Sequence, residues 1–222
     1  MVINETLSLN RYQWASSFIN NLTEVEPVVF DIGAKDSIIT SSITKKIKYQ
    51  GFDMAPEITS IKTWNINNEL PELSNSADYV LLLEVVEHLT NPWNCLSNLA
   101  KVLKPGGKLI LTTPNPFWSE SRFTLFAEGK MPCFTVADLE LNHHVFTPWP
   151  HVIERLLTDN GFVIEQWNML DGKTALFDRN LIKNPFRIFK RLAKRYLELR
   201  SPMACGMSYG LVAKKKMEAD IK

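Results

Sequence analysis

The chain has 222 residues, 45% of them hydrophobic and 22% charged, which is enough apolar material for one α/β domain with an elaboration. A formal net charge of +1 speaks against a general nucleic-acid binder and against an acidic tail. No apolar run approaches membrane-spanning length, the polar N-terminus does not read as a signal peptide, and Cys95, Cys133 and Cys205 lack metal or disulfide spacing, so a reducing cytoplasm is the expected place.

Arg11–Leu22 is expected to form a first helix, with Tyr12, Trp14, Ala15, Phe18 and Leu22 at its apolar positions. Pro27 leads into a buried strand, Val28–Ile32, which runs into a turn at Gly33. Asp36–Lys46 reads as a helix despite its β-branched and hydroxyl residues, which are weak helix formers. Tyr49–Asp53 and Ser60–Trp64 are the second and third strands. Tyr79–Leu83 is a short apolar run bounded by polar residues, the mark of a strand buried on both faces of a parallel sheet.

The next helix has clear limits. Asn91 is a good N-cap and Pro92 suits the first helical position, where a missing N–H costs nothing. Trp93, Leu96, Leu99, Ala100 and Leu103 recur at helical spacing, and Pro105-Gly106-Gly107 ends the run. Leu109–Thr113 is another buried strand, completing a right-handed strand–helix–strand unit whose second strand also ends in a polar turn. Pro114–Asn142 is long, irregular and aromatic, the character of a lid or binding loop. Val152–Asn160 is an amphipathic helix, followed by the strand Phe162–Trp167; Ser208–Ala213 is the last strand. Between them Asn184-Pro185 opens a basic helix that carries Arg187, Lys190, Arg191, Lys194 and Arg195 beside Phe186, Phe189, Leu192, Tyr196 and Leu197. It is expected to pack with a solvated basic face; the alternative is contact with an anionic membrane surface or a phosphorylated acceptor.

Chemistry is expected where strands end, because ligands of open α/β sheets bind beyond the carboxyl ends of the strands. Asp31 and Gly33 end the first core strand, and Asp53 ends the next, 22 residues after Asp31. An acidic residue about that far past a glycine turn is placed to hydrogen-bond a ribose. Glu84, Glu87 and His88 follow the strand Tyr79–Leu83 at i, i+3 and i+4, so on one helical turn they share a face. With His144 they are candidate ligands of Mg²⁺ or Mn²⁺, and Glu87, His88 and His144 are candidate bases. His143 and His151 read as surface or structural. In the long aromatic segment, Asn115 and Arg122 are the candidate polar contacts to an acceptor. Phe117, Trp118, Phe123, Phe126, Phe134 and Trp149 are divided between a pocket lining and ordinary packing.

In order, these motifs resemble the class I S-adenosylmethionine-dependent methyltransferases, over roughly Val28 to Phe162. Asp31-Ile32-Gly33 is similar to the first motif, Asp53 to the ribose-holding acid, and the resemblance alone assigns Asn65 to the adenine. Glu84-Val85-Val86-Glu87-His88-Leu89, Leu103-Lys104-Pro105-Gly106-Gly107 and His144-Val145-Phe146-Thr147-Pro148 are similar to motifs of the branch that includes ubiquinone-pathway O-methyltransferases. Glu84-x-x-Glu87-His88 resembles that branch's metal site; with His144 it also looks like the site of small-RNA 2′-O-methyltransferases. Lys35 and Ser37 stand where the family has glycines.

The resemblance implies a Rossmann-like, seven-stranded, mostly parallel sheet with an antiparallel last strand, helices on both faces and a lid-like insertion after the fifth strand. One domain, 1–222, is expected, with its core at about 24–170, the insertion at 114–142 and the basic helix at about 184–200. S-adenosylmethionine is the implied cofactor, held by Asp31, Gly33, Asp53, Asn65 and Glu84. The expected activity is methylation of an oxygen on a small molecule, such as a sugar or lipid-linked glycan. Two alternatives stand beside it: RNA ribose 2′-O-methylation, and a degenerate methyltransferase fold that acts as a scaffold.

Overall fold

A computed structural model describes residues 2–69, 71–174 and 185–217. An eight-stranded sheet runs in the order β1-β7-β8-β6-β5-β2-β3-β4, one strand more than expected. Its strands are β1 (Glu5–Thr6), β2 (Val28–Ile32), β3 (Lys48–Asp53), β4 (Lys62–Thr63), β5 (Ala77–Leu83), β6 (Leu103–Pro114), β7 (Phe162–Leu170) and β8 (Ser208–Lys215). The extra strand is β1, a two-residue edge piece parallel to β7 and too short to leave a periodic signal. β8 runs antiparallel between β6 and β7, and every other pairing is parallel.

Alternation along the central strands divides the core in two. Phe30, Ile32, Val80, Leu82, Leu109 and Leu111 face α2 (Pro92–Val102) and α5 (Pro150–Asp159). Val29, Leu81, Leu83 and Ile110 face α1 (Arg11–Asn20), whose Trp14, Ala15 and Ile19 complete the second cluster. These strands read as continuous apolar runs because both faces are covered. Asn10 opens α1 with a capping box: its side chain accepts from Gln13 N, while Gln13 accepts from Asn10 N. Trp14 lies flat on Gly210 of β8, where a Cβ would stand 2.6 Å from the indole. Trp93, expected on the buried stripe of α2, is instead exposed, and Cys95, Leu96, Leu99 and Val102 make the buried face.

Residues 36–46 form no α-helix. Only Ile38–Ser42 coils, as a 3₁₀ turn. The hydroxyls that lower helix propensity explain this directly: Thr40 Oγ1 donates to Ser37 O and Ser41 Oγ to Ile38 O, while Asn20 Oδ1 takes the N–H groups of Thr44 and Lys45. Segment 114–142 is largely helical rather than irregular, with α3 at Ser119–Glu128 and α4 at Val136–Asn142. Gly129 ends α3 in the left-handed conformation, and Thr135 with Asp138 makes a capping box for α4. The expected basic helix is α6, Pro185–Arg200; Asn184 lies outside the described residues. Its basic side chains divide: Lys190 and Lys194 turn inward onto Glu120 of α3, while Arg187 and Arg200 are exposed. Among the described residues no helix is long and apolar enough to cross a membrane. Cys95, Cys133 and Cys205 are free thiols.

Asn115, expected to meet an acceptor, is a structural clamp. It is buried, its amide nitrogen donates to Met203 O at 2.9 Å and Gly206 O at 3.1 Å, and its Oδ1 accepts from Phe117 N. The side chain joins the end of β6 to the turn before β8, and its amide N–H groups are engaged there. Arg122 lies over the Phe117 ring at 5.1 Å, away from the cleft residues described below. Asn115→Ala should therefore lower stability by about 2–3 kcal/mol, because several backbone groups lose a buried partner. Urea unfolding measures this, and an unchanged midpoint would return Asn115 to the acceptor site.

Candidate active site

Chain order places the site. From β2 the chain moves outward to β3 and β4, then crosses back to β5 and β6, so β2 and β5 are neighbours from which connections diverge. Their carboxyl ends form the crevice that such sheets use for ligands. A cleft of about 590 Å³ opens there, lined by Asp31, Gly33, Glu84, Glu87, His88 and His144 among others.

The β2 side is a loop held in an unusual shape. Gly33 has φ +77°, and a Cβ there would stand 2.5 Å from Val85 Cγ2, so glycine is required by conformation and by contact. Lys35 and Ser37, the departures from the glycine pattern, also have positive φ, 44° and 58°. This is a backbone shape that glycine adopts more readily than other residues. It is braced by Asp53, whose carboxylate accepts from Lys35 N at 3.0 Å and Ala55 N at 2.8 Å. Lys35 Nζ pairs with Glu57 at 3.2 Å. Beneath the loop, Tyr49 Oη donates to Asp31 Oδ2 at 2.8 Å and lies 3.1 Å from Ser37 Oγ. Asp31 is 5% exposed. Burial, with Asp53 and Asp36 nearby, pushes its carboxyl up to about 7 against the pull of the Tyr49 hydrogen bond.

The β5 side carries the ionisable cluster. Glu84 is itself left-handed, φ 55°, and precedes the 3₁₀ turn Val86–His88, so it does not share a helical face with Glu87 and His88 as the spacing suggested. It faces Arg11 of α1, Nη1 to Oε2 3.7 Å, and its Oε1 is buried without a hydrogen-bond partner. Glu87 is 1% exposed and accepts from Thr113 Oγ1 at 2.9 Å. Burial, then the neighbouring Glu84, pushes the Glu87 carboxyl well above the carboxylate range; burial raises Glu84 as well, against the attraction of Arg11. The Glu87 carbonyl accepts from Val145 and Phe146 N–H, both at 3.0 Å, which draws His144 over the turn. His144 Nδ1 meets Cys133 O at 2.5 Å, so Nδ1 carries the proton and Nε2 is left as the acceptor. The His88 and His144 rings meet edge-on at 4.9 Å. Burial, then His144, holds the His88 imidazole below its ordinary value.

One donor atom from each of Glu87, His88 and His144 lies within 4.8 Å of the other two. Glu84, the fourth expected ligand, stands outside that group. Asp53 and Asn65 lie at the ends of β3 and β4, beyond the cleft that Gly33 and Glu84 line. Asn65 Oδ1 accepts from Asn67 N. His143 and His151 are exposed, as expected. Of the six aromatics considered for the pocket, Phe134 lies tilted 5.8 Å from His144; Phe117 pairs with Trp149 and Phe123 is core. Arg11, Tyr49 and Cys133 were missed. A signal for Arg11 existed: a cation in the first turn of a helix opposes the dipole and asks for another reason to be there.

A model of the methyltransferase domain family matches residues 8–166. The chain belongs to the class I S-adenosylmethionine-dependent methyltransferases. A ubiquinone biosynthesis O-methyltransferase of Rickettsia bellii is 25% identical over 200 residues, covering 79% of each chain. Among solved structures, an S-adenosylmethionine-dependent methyltransferase from Archaeoglobus fulgidus superposes with a TM-score of 0.61 at 17% identity, over 92% of this chain and 91% of that one. A phosphoethanolamine N-methyltransferase of Haemonchus contortus, solved with S-adenosylmethionine, gives 0.56 at 15% identity, over 92% and 52%. As a methyltransferase of this class the chain is an enzyme that uses S-adenosylmethionine.

The buried carboxyls make the ligand-free enzyme's stability depend on pH in the direction opposite to a salt-bridged acid. The native state holds Asp31's proton up to about 7, whereas the unfolded chain releases it near the ordinary 3.8. That contribution is fully present below the ordinary value and lost as pH rises through 7. The urea midpoint should therefore fall between pH 5 and pH 8, and Asp31→Asn should flatten the slope; a rise over that range would contradict the assignment.

Proposed function

We propose that this methyltransferase acts on a hydroxyl oxygen of a small-molecule acceptor, and that Glu87, His88 and His144 handle the acceptor's proton. The observation that carries the reading is the convergence of a high-pKa carboxyl and two imidazoles on the cleft beside the cofactor loop. Bound S-adenosylmethionine supplies a methyl already activated by a positively charged sulfur. Asp31, Gly33 and Glu84 would hold it in the cleft, with Asp53 and Asn65 toward its nucleoside end. The fit rests on charge: three carboxyls, two of them buried, face one cleft and Arg11 neutralises only part of them, so a cationic ligand is welcome there. The loop's retained left-handed shape at Lys35 and Ser37 supports binding over a scaffold role.

What the chain adds is deprotonation. A neutral hydroxyl is a poor nucleophile, and a base worth about 10²–10⁴ in rate is the ordinary remedy. His144 is placed for it, with Nδ1 tied to Cys133 and Nε2 free to accept. The Cys133 thiol does not compete, because burial, with Asp138 and the two glutamates nearby, pushes it up to about 11. A divalent ion held by Glu87, His88 and His144 would acidify the same hydroxyl; two imidazoles and one carboxylate suit Mn²⁺ better than Mg²⁺. The acceptor class we favour remains a sugar or lipid-linked glycan hydroxyl. RNA ribose methylation gains from the approach of His144 to Glu87 and His88, but Lys190 and Lys194, two of the chain's cations, are engaged by Glu120.

S-adenosylhomocysteine should raise the melting temperature of wild type and of His144→Ala alike, by mass action on the native state. Methyl transfer to hydroxylated acceptors, followed by mass spectrometry, should fall at least about 100-fold in His144→Ala. Loss of that activity in EDTA, restored better by Mn²⁺ than by Mg²⁺, would assign the metal. Transfer to amines but never to hydroxyls would overturn the oxygen reading.

A further inference from the structure

α6 is amphipathic in the reverse sense to a normal surface helix. Four of its charged side chains, Lys190, Lys194, Arg195 and Glu198, are turned inward. Lys190 and Lys194 pair with Glu120, Lys194 at 2.9 Å, and their ammonium groups lie over Phe123 and Trp118. Glu198, the one acid of the helix, is buried; it accepts from Ser119 Oγ at 2.9 Å and Thr174 Oγ1 at 2.6 Å and pairs with Arg195 at 2.9 Å. The apolar side chains face outward. Phe189 is 61% exposed, Tyr196 63%, and Leu192 and Leu199 are exposed between and beyond them, at i, i+3, i+7 and i+10. On α3, which packs along α6, Leu125 and Phe126 are exposed as well, Phe126 at 92%.

A helix that could have buried this stripe by rotating instead turns Lys190, Lys194, Arg195 and Glu198 inward and offers the stripe to solvent. Burial of large apolar side chains is favourable wherever a partner exists, so this arrangement implies one. Charge selects which. Arg187 and Arg200 are exposed near the two ends of the stripe, and no exposed acid accompanies them on the helix. Self-pairing across a two-fold axis with the helices antiparallel would bring these arginines against each other, a like-charge contact. An anionic bilayer accepts both features at once, apolar side chains at the acyl boundary and arginines among the headgroups.

We propose that α6, with the exposed end of α3, docks the enzyme on an anionic membrane surface through its outward apolar stripe. This goes beyond the methyl-transfer reading and does not depend on it. Sedimentation with vesicles should show binding to phosphatidylcholine containing phosphatidylglycerol, and at least about tenfold less to phosphatidylcholine alone. Phe189→Ser with Leu192→Ser, which keeps the helix charge, should weaken binding to the anionic vesicles by about tenfold or more. The thermal shift with S-adenosylhomocysteine should be unchanged in that variant, which shows that fold and cofactor site are intact. Arg187→Gln with Arg200→Gln should remove the preference for anionic vesicles. The proposal is overturned if wild type binds neither vesicle, if the double serine variant binds as well as wild type, or if the stripe instead makes a dimer that the serine variant dissolves.

Discussion

Three carboxyls around one cleft, Asp31 and Glu87 buried and Glu84 half-buried, are the condition that the rest of the site has to accommodate. Asp31 ends β2, Glu84 and Glu87 follow β5, and adjacency of those two strands at the switch in chain order brings the acids together. Taking an ionised carboxylate out of water is costly, and a folded chain lowers the cost with hydrogen bonds, with a counter-charge or with a retained proton. All three devices are present. Tyr49 and Thr113 donate hydrogen bonds, Arg11 approaches Glu84, and the acids keep their protons to higher pH. The partial nature of the compensation would favour a positively charged ligand in the cleft. A site tuned only for stability would have placed apolar side chains here.

The cofactor loop shows how shape can outlive the residues that usually specify it. Left-handed backbone at a non-glycine residue costs about 1–2 kcal/mol, and Lys35, Ser37 and Glu84 all adopt it. Surrounding contacts hold them there. Asp53 fixes the Lys35 amide, Val85 fills the space a Gly33 side chain would need, and Tyr49 links the Asp31 carboxylate to Ser37. The glycines that are missing from the sequence are replaced by bracing from β3 and from the turn after β5. A loop with one glycine is thus compatible with left-handed backbone at its other positions.

Much of the frame was legible because it rests on local signals. Val28–Ile32 has the predicted bounds, α2 opens at Pro92 as its cap requires, and β5, β7 and β8 stand where apolar runs placed them. The failures have identifiable causes. Residues 36–46 carry apolar side chains at helical intervals, but their hydroxyls compete for the same carbonyls. The caps of α3 and α4, Gly129 and the Thr135–Asp138 pair, were present in the sequence and outweighed by the aromatic content around them. Spacing puts Glu84 on one helical face with Glu87 and His88, whereas its positive φ puts it outside the turn. Asn115 and Arg11 could not be placed by local reasoning, since their partners lie far along the chain, at Met203 and Gly206 for one and Glu84 for the other. The direction α6 faces is likewise a tertiary outcome, fixed by Glu120 and by the Ser119–Glu198 hydrogen bond.

Proton release on ligand binding tests the central claim most directly. Calorimetry at pH 7, with EDTA present and in buffers of differing ionisation enthalpy, counts protons lost per ligand bound. A cation settling among carboxyls that still hold protons should expel part of them. S-adenosylmethionine should therefore release more protons than S-adenosylhomocysteine, which lacks the sulfonium charge, and Glu87→Gln should reduce the difference. Equal proton counts for the two ligands would contradict the account.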